Sequence, residues 1–166
     1  MRIGGQEHFY LEGQIALAIP GEDDEVTVWS STQHPSEVQH MVANILQIPA
    51  QAVTVNTRRM GGGFGGKLFL RADAVLAALG AKAVERAVKV TLPRPMIMNN
   101  TTHRPATIQR IRIGAAADGR IEAIAHESWS GDLPGGKPET AVNQTRLLYA
   151  GANRMTAMRL AALDLA

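Results

Sequence analysis

Residues 61–66 read Gly-Gly-Gly-Phe-Gly-Gly, five glycines in six positions, and Lys67 follows. Glycine loses more backbone freedom on folding than any other residue, so this density needs a compensating reason. The usual one is close approach of the backbone, either to a ligand or to another segment of the chain. A strand-like run, Ala52-Val53-Thr54-Val55-Asn56-Thr57, precedes the loop, and an apolar stretch of helical character over 68–87 follows, with Gly80 as a possible break. Where a loop enters a helix, unpaired N–H groups point outward at a positive dipole end, which suits a phosphate or a metal-bound oxygen. Gly61, Gly66 and Lys67 also fit the G-x-x-x-x-G-K spacing of a P-loop nucleotide site. That motif needs Ser or Thr next, to hold magnesium, and here the residue is Leu68. A tightly turning loop with no ligand is the third reading.

The surrounding chain frames this loop. Residues 9–19 alternate loosely and end at Pro20-Gly21, and an acidic turn over 22–25 precedes the short strand 26–30. Ser36 with Gln39 matches a capping box, and Val38, Met41, Val42, Ile45 and Leu46 keep the helical period up to Pro49. A helix over 36–47 follows from that spacing. Residues 88–92 form another strand. Residues 107–115 alternate cleanly, Asp118-Gly119 is a hairpin signal, and 121–129 is the returning strand. Residues 130–138 form a Gly- and Pro-rich loop. The reading over 157–166 is a helix without a stop, either a frayed end or a chain cut short. The fold class expected is α+β, with mixed sheets and packed helices, and 1–166 is read as a partial domain truncated at its C-terminus and at its N-terminus as well.

Composition narrows the function classes. Apolar residues make up 45% and charged residues 19%, ordinary for a soluble globular chain. A net charge of +2 without any Lys/Arg run gives no phosphate-backbone track, so no nucleic-acid partner is expected. No cysteine is present, which excludes disulfides, iron–sulfur ligation and Cys-based zinc sites within the chain. The longest apolar stretch, 68–88, carries Arg71, Asp73, Lys82, Glu85 and Arg86 and is no membrane span. His34, His40, His103 and His126 lack ligand spacing and read as structural or surface residues, and His8 reads as structural.

Two stretches together resemble a known family. Gly4-Gly5-Gln6-Glu7-His8-Phe9-Tyr10-Leu11-Glu12 and Met60-Gly61-Gly62-Gly63-Phe64-Gly65-Gly66-Lys67 are similar to motifs of the molybdopterin-binding subunit of xanthine dehydrogenases and aldehyde oxidases. Phe64 follows Gln6 by 58 positions, close to the family spacing, and Ser31-Thr32-Gln33 and Arg104-Pro105 also resemble the family. The resemblance implies that Gln6 lies beside the apical oxo group of the molybdenum. A neutral amide can donate there without the cost of burying a cation. It implies that Phe64 and Gly65 border the cofactor and substrate channel. Purine-oxidising members commonly carry a glutamate where this chain has Leu68, so the resemblance implies aldehydes rather than purines as substrates. Arg146 falls where members often have a channel arginine, although a surface arginine is the competing reading.

The resemblance further implies a molybdopterin cofactor, in a cytosine dinucleotide form, with 2Fe-2S and FAD on partner subunits or domains and the remainder of the molybdopterin subunit as a further partner. The family transfers oxygen from water to carbon, and its general base is a glutamate near the far C-terminus of a much longer subunit. Neither Glu122 nor Glu139 sits in that motif, so no catalytic base is assigned, and no side chain is expected to bind the metal directly. The chain by itself is expected to be inactive, and its setting cytoplasmic or periplasmic. An inactive folded fragment and a P-loop-like nucleotide-binding protein are the alternatives.

Overall fold

The computed structural model describes residues 1–69 and 72–163. In chain order the elements are β1 (Arg2–Ile3), β2 (Ile15–Pro20), β3 (Val26–Ser30), α1 (Pro35–Leu46), β4 (Val53–Asn56), α2 (Ala72–Val84) and β5 (Val88–Thr91), then α3 (Arg94–Asn100), β6 (Thr107–Ala115), β7 (Ile121–Asp132), α4 (Asn143–Leu148) and β8 (Asn153–Ala162). They form two compact units, one of residues 7–103 and one of residues 1–6 with 104–166. Mixed sheets packed with helices make the class α+β, as the sequence implied.

In the unit of residues 7–103 the sheet order is β4-β3-β2-β5. β3 pairs antiparallel with β2 (Ala16 opposite Ser30) and parallel with β4 (Val28 opposite Val55). Strand periodicity sends Ala16, Ala18, Val26, Val28 and Val53 to one face, where Val38, Val42 and Leu46 of α1 and Ala74, Ala77, Ala78 and Ala81 of α2 cover them. Each fully buried valine contributes about 1.5–3 kcal/mol. The alanine face lets α2 lie close to the sheet, and Gly80 extends that approach: a Cβ there would stand 3.1 Å from Val88 Cγ1. Gly80 therefore sits inside the helix without breaking it.

In the other unit the order is β1-β6-β7-β8. The β6–β7 hairpin turns at Asp118-Gly119 as read from the sequence, with Gly119 at φ +86° and its N–H donating to Ala116 O at 2.9 Å. His126 of β7 is buried between Thr145 Oγ1 (2.7 Å) and Gln109 Oε1 (2.9 Å). The Gln109 amide nitrogen donates to Thr107, so Gln109 Oε1 accepts from His126 Nε2–H and Nδ1 accepts the Thr145 hydroxyl. Burial holds the imidazole below its usual pKa, in keeping with a neutral structural histidine.

Several sequence readings are corrected. Residues 157–162 belong to β8, not to a helix, and β8 pairs in parallel with β7 over ten residues, Asn153 to Ala162. Met, Ala and Leu favour helices, but ladder pairing and packing against β7 override that weak preference. Residues 164–166 lie outside the described set. The helix read over 68–87 is seen at Ala72–Val84, with Leu68 and Phe69 in a bend, residues 70 and 71 outside the described set, and Glu85 at φ +51° beyond the helix. The capping box does not form. Pro35 is already helical and His34 is the N-cap, while Gln39 donates to Ala50 O and Val53 O instead, tying α1 to the start of β4. The short helices α3 and α4 were not legible in the periodicity.

Candidate functional site

The glycine loop sits in the unit of residues 7–103, between β4 and α2. It is a turn followed by a bend at Leu68 and Phe69, and α2 is described from Ala72 onward. Its amides therefore do not serve as the open end of α2. Instead the loop is fastened to the chain around it. Gln33 Oε1 accepts from Gly65 N–H (2.9 Å) and Lys67 N–H (3.3 Å), and the Gln33 backbone N–H and Thr32 hydroxyl donate to Lys67 O (2.9 and 3.2 Å). Gly66 N–H donates to Gly63 O at 2.7 Å, and Gly66 O accepts from Gln14 Nε2 at 3.3 Å. The N–H groups of Gly61, Gly65, Gly66 and Lys67 are engaged in this way, whereas those of Gly62 and Gly63 make no hydrogen bond among the described residues.

The glycines are explained partly by protein neighbours. A Cβ on Gly66 would stand 2.6 Å from Tyr10 Cε1 and 2.9 Å from the His8 ring, and one on Gly63 would overlap the Gln33 side chain. Of the two reasons that glycine density allows, approach to another segment is thus visible directly. Phe64 lies at φ +52° between Gly62 at +93° and Gly65 at +98°, and the residue is 64% exposed.

A lysine close to a helix start is usually solvated, and Lys67 departs from that. It is fully enclosed, with its ammonium 2.9 Å from Glu12 Oε2, 2.7 Å from Ser31 Oγ and 4.7 Å from the Tyr10 ring centre. Ser31 donates in turn to Glu12 Oε2, as does Gly61 N–H at 2.8 Å. Burial alone would raise the Glu12 carboxyl, but the hydrogen bonds from Ser31, Lys67 and Gly61 and the ammonium charge hold it below its usual pKa. A P-loop lysine must extend to a phosphate, and this one is committed to a carboxylate. The Ser31–Lys67 proximity is not a nucleophile–base pair either, because Glu12 stabilises the charged ammonium. The signal that could have found the cluster was present: Glu12 and Ser31 both stand in stretches that resemble the family.

The remaining site candidates are placed as follows. Leu68 is half-buried in the bend after Lys67. Gln6 belongs to the unit containing 104–166; its backbone N–H and C=O pair with Arg104 at 2.9 Å each, and its side chain is exposed. Arg146, on α4 in the same unit, is exposed and donates through Nε to Thr156 Oγ1 of β8 at 2.7 Å. That contact fixes the base of the guanidinium. Phe64, Gly65 and Leu68 thus share one loop, and Gln6 and Arg146 share one unit. Among the described residues, no group of three or more His, Asp or Glu side chains could hold a metal ion, and no helix is long and apolar enough to cross a membrane.

The family model described as "Molybdopterin cofactor-binding domain" matches residues 1–162. The molybdenum-binding subunit PaoC of an Escherichia coli K12 aldehyde oxidoreductase is 56% identical over 160 residues, 96% of this chain and 22% of PaoC. A xanthine dehydrogenase of Drosophila pseudoobscura pseudoobscura is 42% identical over 138 residues, 80% of this chain and 10% of that protein. Among solved structures, quinoline 2-oxidoreductase from Pseudomonas putida 86 matches with a TM-score of 0.76 and 25% identity, over 95% of this chain and 21% of its own. The chain therefore spans about a fifth or less of the relatives it matches.

Proposed function

The chain belongs to the molybdopterin cofactor-binding domain family, and on that premise we propose that it supplies part of the cofactor site of a molybdenum hydroxylase subunit that oxidises aldehydes. The observation that carries the reading is the glycine loop, which presents an exposed Phe64 and leaves the Gly62 and Gly63 N–H groups without a hydrogen bond among the described residues. This donor set fits the group. Molybdopterin needs neutral donors for its oxygens and a flat apolar edge, and the exposed Gln6 amide adds a further neutral donor.

When bound, the cofactor supplies the two-electron chemistry and the oxygen derived from water. The chain's own residues bind and orient. Gln6 donates through its amide. Phe64 and Gly65 border the channel with a ring and a backbone that no side chain thickens. Leu68 keeps the channel apolar at that point, and the exposed guanidinium nitrogens of Arg146 orient a carbonyl oxygen or an anionic group. No residue here is assigned as general base. Aldehydes are preferred over purines because Leu68 offers no hydrogen bond, and the 56% identical relative bears an aldehyde oxidoreductase name. The finer cofactor assignment is a cytosine dinucleotide form, with 2Fe-2S and FAD groups on partner subunits or domains and the rest of the molybdopterin subunit completing the site.

The test is Gln6→Leu in the molybdenum-binding subunit that contains this chain. Losing one transition-state hydrogen bond of about 1–3 kcal/mol lowers aldehyde kcat/KM about tenfold to a hundredfold. Unchanged turnover at equal molybdenum content overturns the role of Gln6 and weakens the reading of the first motif.

A further inference from the structure

Resting on the reading that the glycine loop borders the cofactor, we propose that the Lys67–Glu12 ion pair is a positioning device, holding residues 61–67 in the conformation that presents Phe64 and Gly65. Both ends of the loop converge on one atom: Gly61 N–H and Lys67 Nζ reach Glu12 Oε2 at 2.8 and 2.9 Å. The middle of the loop, meanwhile, is in a conformation that backbone preference alone does not hold. Phe64 occupies the left-handed region at φ +52°, which costs a non-glycine residue energy and persists only where the surroundings over-determine it.

The surroundings do so in layers. Ser31 Oγ accepts from Lys67 and donates to Glu12, closing a triangle of three polar groups. The Tyr10 ring stands under the ammonium at 4.7 Å. Arg94 donates to Tyr10 O and Leu11 O at 2.9 and 2.8 Å, bracing the backbone that carries Glu12. An apolar pair of the same volume could fill the space equally well. It would not specify which backbone amide meets it, whereas a carboxylate oxygen does.

The test is amide hydrogen exchange on the full-length subunit, with and without cofactor, for the wild type, Lys67→Met and Glu12→Gln. In cofactor-free protein the amides of 61–67 should exchange at least about tenfold faster in both variants, while those of α1 and β3 keep wild-type rates. In the loaded enzyme the Mo(V) electron paramagnetic resonance spectrum should shift in both variants, a readout that a purely structural lysine would leave alone. Should Lys67→Met fail to fold, Ser31→Ala removes one corner of the triangle, leaving the Lys67–Glu12 contact, and should give a smaller rise confined to the same segment. Exchange over 61–67 that stays at wild-type rates, or that rises only in step with α1 and β3, overturns the proposal, as does an unshifted spectrum. If loading the wild type adds no protection to 61–67, the cofactor reading of the loop fails while the clamp itself can still stand.

Discussion

Glu12→Ala is expected to lower the unfolding free energy by about 2–3 kcal/mol, more than Lys67→Met does. Removing one partner of a fully buried pair costs about 3–5 kcal/mol, chiefly because the remaining charge stays buried without compensation. The figure here is reduced because the Glu12 side chain is 34% exposed and partly screened by solvent. The same exposure sets the order of the two variants. Without Glu12, the ammonium of Lys67 is enclosed at 0% exposure and cannot rehydrate, and Gly61 N–H and Ser31 Oγ also lose their bonds to the carboxylate. Without Lys67, the carboxylate turns toward water, and methionine fills much of the vacated space. Denaturant midpoints at constant slope measure both values. A loss below about 0.5 kcal/mol for Glu12→Ala, or the reverse order, would show that the pair does not anchor this region.

The second large effect is on substrate choice. In the full-length enzyme, aldehydes are expected to show a higher kcat/KM than xanthine, because Leu68 supplies no acceptor where the family resemblance implies a carboxylate in purine-oxidising members. One missing buried acceptor is worth about 1–3 kcal/mol, or roughly tenfold to a hundredfold in discrimination. Leu68→Glu should therefore lower aldehyde turnover, since it sets a charge at a half-buried apolar position in the bend after Lys67. Steady-state kinetics on both substrate classes decide the matter. Xanthine turnover equal to or better than aldehyde turnover in the unmodified enzyme would refute this assignment and leave the family membership intact.

The parts of this architecture that are legible in the sequence are those written locally. The clean alternation over 107–115 and the Asp118-Gly119 turn specify a hairpin because strand period and turn chemistry act over a few residues. The spacing of Val38, Met41, Val42 and Leu46 marks α1 for the same reason. The β8 strand was missed because a short apolar run of Met, Ala and Leu fits a helix or a strand, and only its partner β7 decides. The Lys67 cluster was missed for a related reason: its partners stand at positions 10, 12 and 31, and no local pattern announces a buried lysine. The density of glycine was correctly read as close backbone approach, but the approaching groups include Tyr10, His8 and Gln33 of the chain itself. The roles given to Gln6 and Arg146 came from resemblance, not from any physical signature of a lone glutamine or arginine.

The central claim is that this chain borders a molybdenum cofactor through Gln6 and the Phe64–Gly65 peptide. Crystals of the complete cofactor-loaded subunit, measured on both sides of the molybdenum K absorption edge, locate the metal without reference to any assumed site. The account predicts an anomalous peak beside the Gln6 side-chain amide or the Phe64–Gly65 peptide. A peak that stands beside neither Gln6 nor the glycine loop would contradict it.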